Sequence, residues 1–435
     1  VNFLTTPGKR LFLTGDEAVA RAALEVGVDV VTGYPGNPST KTVTALLPLA
    51  STYGMTVEWS VNEKVALEVA AGAAWAGKRS LVTMKMSGIN AMADSLLSLA
   101  HSGVLGALVI YAVDDLGTYY GMVEQDSRHY ARLASLPLLM PANPEEAYNM
   151  TRLAFELSTQ TGAPIFVLST TAVANAITTM KVGKLEERPA SNPAHFARNP
   201  AKFTKATPQW CLQQHADTLA RLERAGELCE QASHLNRVSL PESGKQRLGV
   251  IVAGVSATYL DEVLESQPER ADELAILKLG QIYPLPRQTM RDFLHGLERV
   301  LVLEELEPLI ETEVLAELAE MGQYTEVLGK RRHGLPRVGD YTIELVECAL
   351  GLLFGEPEAT QANHLASVNV GRPLARRPVP TGDKVDLAKH KAVSTGDGVD
   401  FTGRARGAAL HSQVIRDKPP KLLPLARTLE FCPGC

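Results

Sequence analysis

The sequence predicts an α/β protein built on mainly parallel sheets covered by helices on both faces. Two observations carry this. From Leu11 to about Thr171, and again from about Arg247 to Phe354, short apolar runs alternate with helical patterns. The strand candidates are continuously apolar rather than alternating, which is how strands buried on both faces read.

Taken in order, Asp16 to Val26 reads as a helix closed by Gly27, a residue suited to the left-handed stop. Val28 to Thr32 is a short strand leading into Gly33-Tyr34-Pro35-Gly36, and Asn37-Pro38 restarts a helix with Asn as N-cap and Pro at the first position. Asn62 caps the next helix, whose first turn holds Glu63, where a carboxylate suits the helix dipole. That helix is rich in small residues (Ala66, Ala70, Ala71, Gly72, Ala73, Ala74), so another backbone or a flat ligand can approach closely. Leu81 to Met86 is the following strand, and Ser87-Gly88-Ile89-Asn90 reads as a glycine turn after it. Leu105 to Val113 and Leu138 to Met140 are further strands, Asn143-Pro144-Glu145-Glu146 opens a helix, and Pro164 to Thr170 ends the unit.

Periodicity disappears between Lys184 and Trp210, which reads as a linker, and Leu212 to Leu235 is a polar helix suited to packing across a surface. In the second stretch, Leu248 to Gly254, Ala275 to Gly280 and Val300 to Glu304 are strands, with a helix from Ala257 to Glu265. Glu304-Glu305-Leu306-Glu307 reads as a solvated strand end rather than a metal site, because no His or Cys accompanies it. From Gly355 to about Lys418 no periodicity survives, and an extended linker is expected. The expected divisions are 10–180, 181–245, 246–354 and 355–430, with 431–435 opening a further domain.

Composition excludes several classes. A net charge of -6 without a basic stripe argues against nucleic acid as a partner. Five cysteines, three of them isolated, do not form a disulfide framework, and a reducing, cytoplasmic setting is expected. The uncharged run from Ser95 to Val113 is interrupted by Ser98, His101, Ser102, Gly103 and Gly106, so it parses as helix, turn and strand rather than a membrane span.

Three motifs in order are more specific: Tyr34-Pro35-Gly36-Asn37-Pro38-Ser39, Val57-Glu58-Trp59-Ser60-Val61-Asn62-Glu63-Lys64 and Glu124-Gln125-Asp126-Ser127-Arg128. Together they resemble the α subunit of indolepyruvate:ferredoxin oxidoreductase, within the thiamine-diphosphate-dependent 2-oxoacid:ferredoxin oxidoreductases. The likeness runs to about Gly355 and resumes at Phe431-Cys432-Pro433-Gly434-Cys435. It implies a pyrimidine-binding sheet of the thiamine-enzyme type followed by a domain like the transketolase C-terminal domain. It also implies oxidative decarboxylation of an aryl 2-oxoacid to an acyl-CoA, with electrons leaving through [4Fe-4S] clusters to ferredoxin.

The resemblance assigns Glu63 to the aminopyrimidine ring nitrogen of the cofactor. Glu68, the rival carboxylate, lies about 140° further around the helix, so both cannot face one ligand. Pro35, Gly36, Ser87, Gly88 and Asn90 are expected to line the cofactor, and Asn37, Met86 and His101 the substrate. Family members mostly carry Thr at position 37, and often His at 86 and Tyr at 101, so this chain departs where the substrate is expected. From the residues alone, His101 reads as a satisfied helix-end histidine, and Gly36 to Ser39 also reads as a helix cap. Glu124 to Arg128 is either a loop ordered beside the substrate or a charged helix start. Cys432 and Cys435 have metal-ligand spacing, but a tetrahedral site needs two more ligands. The resemblance assigns Mg²⁺, the diphosphate and the clusters to other domains or to a second oxidoreductase subunit. Two rival readings remain open here: a thiamine-dependent decarboxylase or synthase without redox chemistry, and a non-catalytic assembly subunit of the same fold.

Overall fold

The computed structural model describes residues 3–5, 10–121, 123–185, 193–232, 234–241 and 246–356. Most of the expected linker after Gly355, together with Cys432 and Cys435, lies outside them. The first half runs β1 (Arg10–Thr14), α1 (Gly15–Glu25), β2 (Val30–Gly33), α2 (Thr40–Leu46), β3 (Thr56–Trp59), α3 (Glu63–Trp75), β4 (Arg79–Lys85), α4 (Met86–Ser102) and β5 (Ala107–Asp114). It continues through α5 (Arg128–Ala134), β6 (Leu138–Leu139), α6 (Pro144–Thr161), β7 (Ile165–Thr170), α7 (Thr171–Asn175) and β8 (Ile177–Lys181). α8 (Pro200–Phe203) and α9 (Pro208–Gln231) follow, and α9 packs against α4 and α6.

Local chemistry explains the boundaries. Thr14 and Glu17 close a full capping box on α1, and Asn62 and Asn143 cap α3 and α6 through their side-chain oxygens. Gly27, at φ 67°, turns the chain after α1 into β2. Two expectations shift. The peptide before Pro38 is cis, and α2 starts at Thr40 behind Ser39 rather than at Asn37. The glycine turn after β4 is the first turn of α4, which begins at Met86 without a loop.

The second half holds β9 (Arg237–Ser239), β10 (Leu248–Ala253), α10 (Ser256–Ser266), α11 (Pro268–Ala271), β11 (Leu274–Leu279) and β12 (Gln281–Tyr283). After these come α12 (Arg287–Leu294), β13 (Arg299–Leu303), α13 (Leu309–Met321), β14 (Glu326–Leu328), α14 (Lys330–His333) and α15 (Ile343–Leu353). Its five-stranded sheet has the order β14-β13-β10-β11-β9, parallel except for β9.

The first sheet has seven strands in the order β12-β6-β7-β5-β4-β2-β3. β12 comes from the second half of the chain and pairs antiparallel with β6. β1 and β8 stand apart as an antiparallel pair, with Leu13 buried and Phe12 exposed. Among the described residues no helix is long and apolar enough to cross a membrane.

The strand order creates a switch point. From β2 the chain moves outward to β3; from β4 it moves the other way to β5. The segments leaving the carboxyl ends of β2 and β4 therefore diverge and open a crevice, the usual ligand position in such sheets.

The two halves are also tied by buried charge. Arg128 is 4% exposed; its guanidinium bonds Asp126 at 2.6 Å and Glu304 at 2.7 Å and donates to the carbonyls of Glu305 and Glu307. Glu304 also accepts from the backbone N–H of Ile310 and Glu311 at the start of α13. The acidic run is therefore an internal strut rather than a solvated strand end, because a cation from the other half meets it. Glu124 to Arg128 is the matching half: Glu124 accepts from Gly117 N and Gly339 N.

Three buried carboxyls carry a pH consequence. Burial pushes Asp114 up to about 8, against the bonds that Ser127 donates, and pushes Asp16 and Glu305 up to about 7. Folded, these groups keep a proton that the unfolded chain releases above about pH 4. Their contribution is complete below that value and is lost as pH rises toward 7–8. The thermal midpoint should therefore fall as pH rises from about 5 to about 8, and Asp114→Asn should flatten that fall. A midpoint that rises over this window would contradict the assignment.

Candidate functional site

The crevice is built from three segments. The loop Tyr34–Ser39 leaves β2, the turn Ser60–Asn62 leaves β3 and delivers Glu63 to the start of α3, and β4 runs straight into α4. Thr32 Oγ1 donates to the Ala66 carbonyl at 2.7 Å, fixing α3 against β2, and the buried small residues Ala66, Ala70 and Ala74 permit that approach.

Glu63 and Gly88 meet at the mouth. A Cβ on Gly88 would lie 2.5 Å from Glu63 Cγ and 2.8 Å from its Oε1, so any larger residue would displace the carboxylate. Glu63 is half-buried, and among the described residues its carboxylate has no hydrogen-bond or ion-pair partner. This acid at the junction of two helix starts is available to an external donor. On the other wall, a Cβ on Gly36 would lie 3.3 Å from the Lys85 stem. Lys85 belongs to no motif, and its only signal in the sequence is its place as the last residue of an apolar strand. Gly36 N donates to Thr40 Oγ1 at 2.9 Å, which shapes the loop, while Pro35 and Asn37 are exposed at its rim. Ser87 sits half-buried beside Gly88.

Three expected residues, Met86, Asn90 and His101, do not join them as anticipated. Met86 is completely buried and offers no surface to a ligand; its carbonyl accepts from Gln125 Nε2 at 3.1 Å. Asn90 is two residues past Gly88, about 200° around the helix, and accepts from Tyr130 OH at 2.7 Å. His101 lies thirteen residues beyond Gly88, about 20 Å along α4 at the helical rise, so it cannot share the crevice. Its ring instead stands 5.3 Å from that of His215 on α9, and burial with the nearby His215, Lys205 and Arg221 pulls its pKa down. Asn37 belongs to a turn, not a helix cap. Glu68 is exposed on α3 and accepts from Ser95 Oγ at 2.6 Å.

The arrangement fits a flat nitrogen heterocycle. A carboxylate without a partner among the described residues reaches a crevice walled by two glycines, and the exposed apolar residues Tyr34, Val61, Tyr119 and Val123 lie on segments leaving the same sheet edge.

Residues 21–233 match the family described as pyruvate flavodoxin/ferredoxin oxidoreductase, thiamine diphosphate-binding, and residues 237–352 match the indolepyruvate oxidoreductase domain. The chain is 40% identical over 353 residues to indolepyruvate oxidoreductase subunit IorA of Methanothermobacter thermautotrophicus, covering 80% of this chain and 55% of that protein. It is 34% identical over 353 residues to the IorA of Pyrococcus abyssi, covering 80% and 53% respectively. The chain thus spans about half the length of these relatives. Among solved structures, the 2-oxoglutarate:ferredoxin oxidoreductase from Magnetococcus marinus shares the fold, with a TM-score of 0.62 at 16% identity over 80% of this chain and 65% of that one. From residue 21 to residue 352, then, the chain carries in order the thiamine diphosphate-binding domain of the pyruvate flavodoxin/ferredoxin oxidoreductases and an indolepyruvate oxidoreductase domain.

Proposed function

We propose that the chain supplies the pyrimidine side of the active site in a 2-oxoacid:ferredoxin oxidoreductase that acts on aryl 2-oxoacids. The observation that carries this reading is the Glu63 carboxylate, without a partner among the described residues and held against Gly88 in the switch-point crevice. Thiamine diphosphate, when bound, supplies the carbanion and electron sink for decarboxylation. Glu63 shares a proton with the ring nitrogen of the pyrimidine, a role that needs a carboxyl at fixed hydrogen-bond distance. Gly36 and Gly88 leave room for the ring, and the Lys85 stem backs Gly36. Ser87 and the Pro35-Gly36 turn complete the rim, with Asn37 toward the substrate.

The diphosphate, Mg²⁺ and [4Fe-4S] sites are assigned to the part of the assembly that this chain does not span, with coenzyme A as acyl acceptor and ferredoxin as electron acceptor. Cys432 and Cys435 would contribute to that part. The proposed divisions are the pyrimidine domain over 10–180 and a transketolase C-terminal-like domain over 246–354, with β12 lent across them to the first sheet and β9, just before the second division, joining the second sheet. Apolar side chains exposed near Glu63 support a site completed by another surface, since grouped exposed apolar residues mark such contacts.

Two measurements test this. Calorimetry on residues 1–435 should show only weak binding of thiamine diphosphate, because the sites for its anionic tail and Mg²⁺ are assigned elsewhere in the assembly; micromolar, Mg²⁺-dependent binding would overturn the shared-site reading. In the complete enzyme, indolepyruvate and phenylpyruvate should give higher kcat/KM than pyruvate or 2-oxoglutarate; the reverse order removes the aryl assignment. Met86 does not contribute to that preference, being buried.

A further inference from the structure

A second cavity, of about 340 Å³, opens at the carboxyl ends of β5 and β7. Its walls include Leu116, Tyr119, Tyr120, Thr171, Asn175 and Asp340. The size falls within the usual range for small-molecule pockets, roughly 300–1,000 Å³. Adjacent strands are about 4.8 Å apart, so this edge lies one to two strand spacings from the end of β4 where Gly88 meets Glu63. Lys41 Nζ on α2 donates to Asn175 Oδ1 at 3.0 Å, joining the first turn beyond the Gly36 loop to the cavity wall.

The two tyrosines are 67% and 44% exposed, yet both are held by their phenol ends. Tyr119 OH donates to Asp340 Oδ2 at 3.0 Å, and Tyr120 OH accepts from Asn175 Nδ2 at 3.2 Å. Exposed aromatic rings fixed at the tip offer pre-oriented faces, so a flat guest orders little on binding. Tyr120 N donates to Asp115 at 2.8 Å, and Asp115 also accepts from Thr171 Oγ1 at 2.8 Å, which fixes the backbone beneath them. Two polar groups at this cavity retain acceptor capacity: among the described residues Asp340 Oδ1, which is partly exposed, and the buried Thr170 Oγ1 have no hydrogen-bond partner. The charge here is negative, from Asp115, Asp340 and Glu124, so a ligand carrying a carboxylate would enter ring first.

Resting on the aryl 2-oxoacid reading above, we propose that this cavity holds the aryl side chain of the substrate and that Asp340 selects rings bearing an N–H. Tyr119 and Tyr120 contact the ring faces, Leu116 closes the floor, and Asp340 accepts from the ring nitrogen. A phenyl ring gains the stacking but leaves the Asp340 acceptor unpaired. A bicyclic N–H heteroaromatic gains both. Asp340 is contributed by the second half of the chain, so specificity depends on how the 336–341 segment is set against the β5 loop.

The test uses the complete enzyme with Asp340→Leu and Tyr119→Ala, each measured with indolepyruvate and phenylpyruvate. Asp340→Leu should lower kcat/KM for indolepyruvate about tenfold more than for phenylpyruvate, the scale of a lost hydrogen bond to a charged acceptor. Tyr119→Ala should raise KM for both. An unchanged indole-to-phenyl ratio in Asp340→Leu overturns the assignment while leaving the parent reading intact. In parallel, saturation-transfer NMR on the 435-residue chain reads magnetisation passed to the ring protons of indole-3-propionate, which cannot be decarboxylated as a 2-oxoacid. Disappearance of that transfer in both variants, with wild-type circular dichroism retained, supports the cavity even if the complete enzyme rejects aryl 2-oxoacids. Transfer at the wild-type level in both overturns it.

Discussion

Glu63→Gln is expected to lower turnover of the complete enzyme by at least about 100-fold, the scale of a positioned proton-sharing group. The substitution keeps size and shape and removes only the ability to share a proton. Because Glu63 has no partner among the described residues, no internal bond is lost, and the thermal midpoint should stay at the wild-type value. The combination is diagnostic: a folded protein, nearly inactive. Activity above about a tenth of wild type would remove Glu63 from the proposed role. The steric fit with Gly88 adds a reason for the position, since the Cβ that any other residue carries would displace the carboxylate.

The largest effect on stability should come from Arg128. Its side chain is 4% exposed and satisfies Asp126, Glu304 and two backbone carbonyls together. Burial pushes Asp126 upward, but the adjacent guanidinium outweighs it and holds the carboxyl below its usual range. Arg128→Met keeps much of the volume but strands two carboxylates in a dry interior. Breaking such a pair by removing one partner costs about 3–5 kcal/mol. Chemical denaturation of the variant should show a loss of that size. A loss under about 1 kcal/mol would mean that water or rearrangement satisfies the acids, well short of that scale.

What the sequence made legible follows a physical division. Helix starts at Asn62 and Asn143 and the stop at Gly27 are decided within a few residues, and they stand where local chemistry puts them. Apolar strands such as Leu248–Ala253 and Ala107–Asp114 are long enough to announce themselves. Features set by distant partners were not legible. Thr56–Trp59 is a strand because β2 lies beside it, and Gln281–Tyr283 because β6 does. The acidic run at Glu304 looks solvated until Arg128, 176 residues away, is placed on it. For the site, the motifs located the Gly36 loop, Glu63 and Gly88, which the strand order then brings to one crevice. Met86, Asn90 and His101 failed as pocket residues because α4 begins at once and carries them into the core, round the helix and to its far end. Tyr119, Tyr120 and Asp340 required knowing that two loops 221 residues apart are pinned together.

The borrowed edge strand has a consequence for how the molecule is made. The first sheet holds six of its seven strands by Thr170, but Leu138–Leu139 remains an open margin until residues 281–283 arrive. During synthesis at about 5–20 residues per second, that margin stays bare for several seconds, offering unpaired N–H and C=O groups to any extended segment nearby. Arg128 waits over the same interval for Glu304. The order of translation thus sets a vulnerable period, in which the nascent first half has its own core but neither its last strand nor its counter-charge.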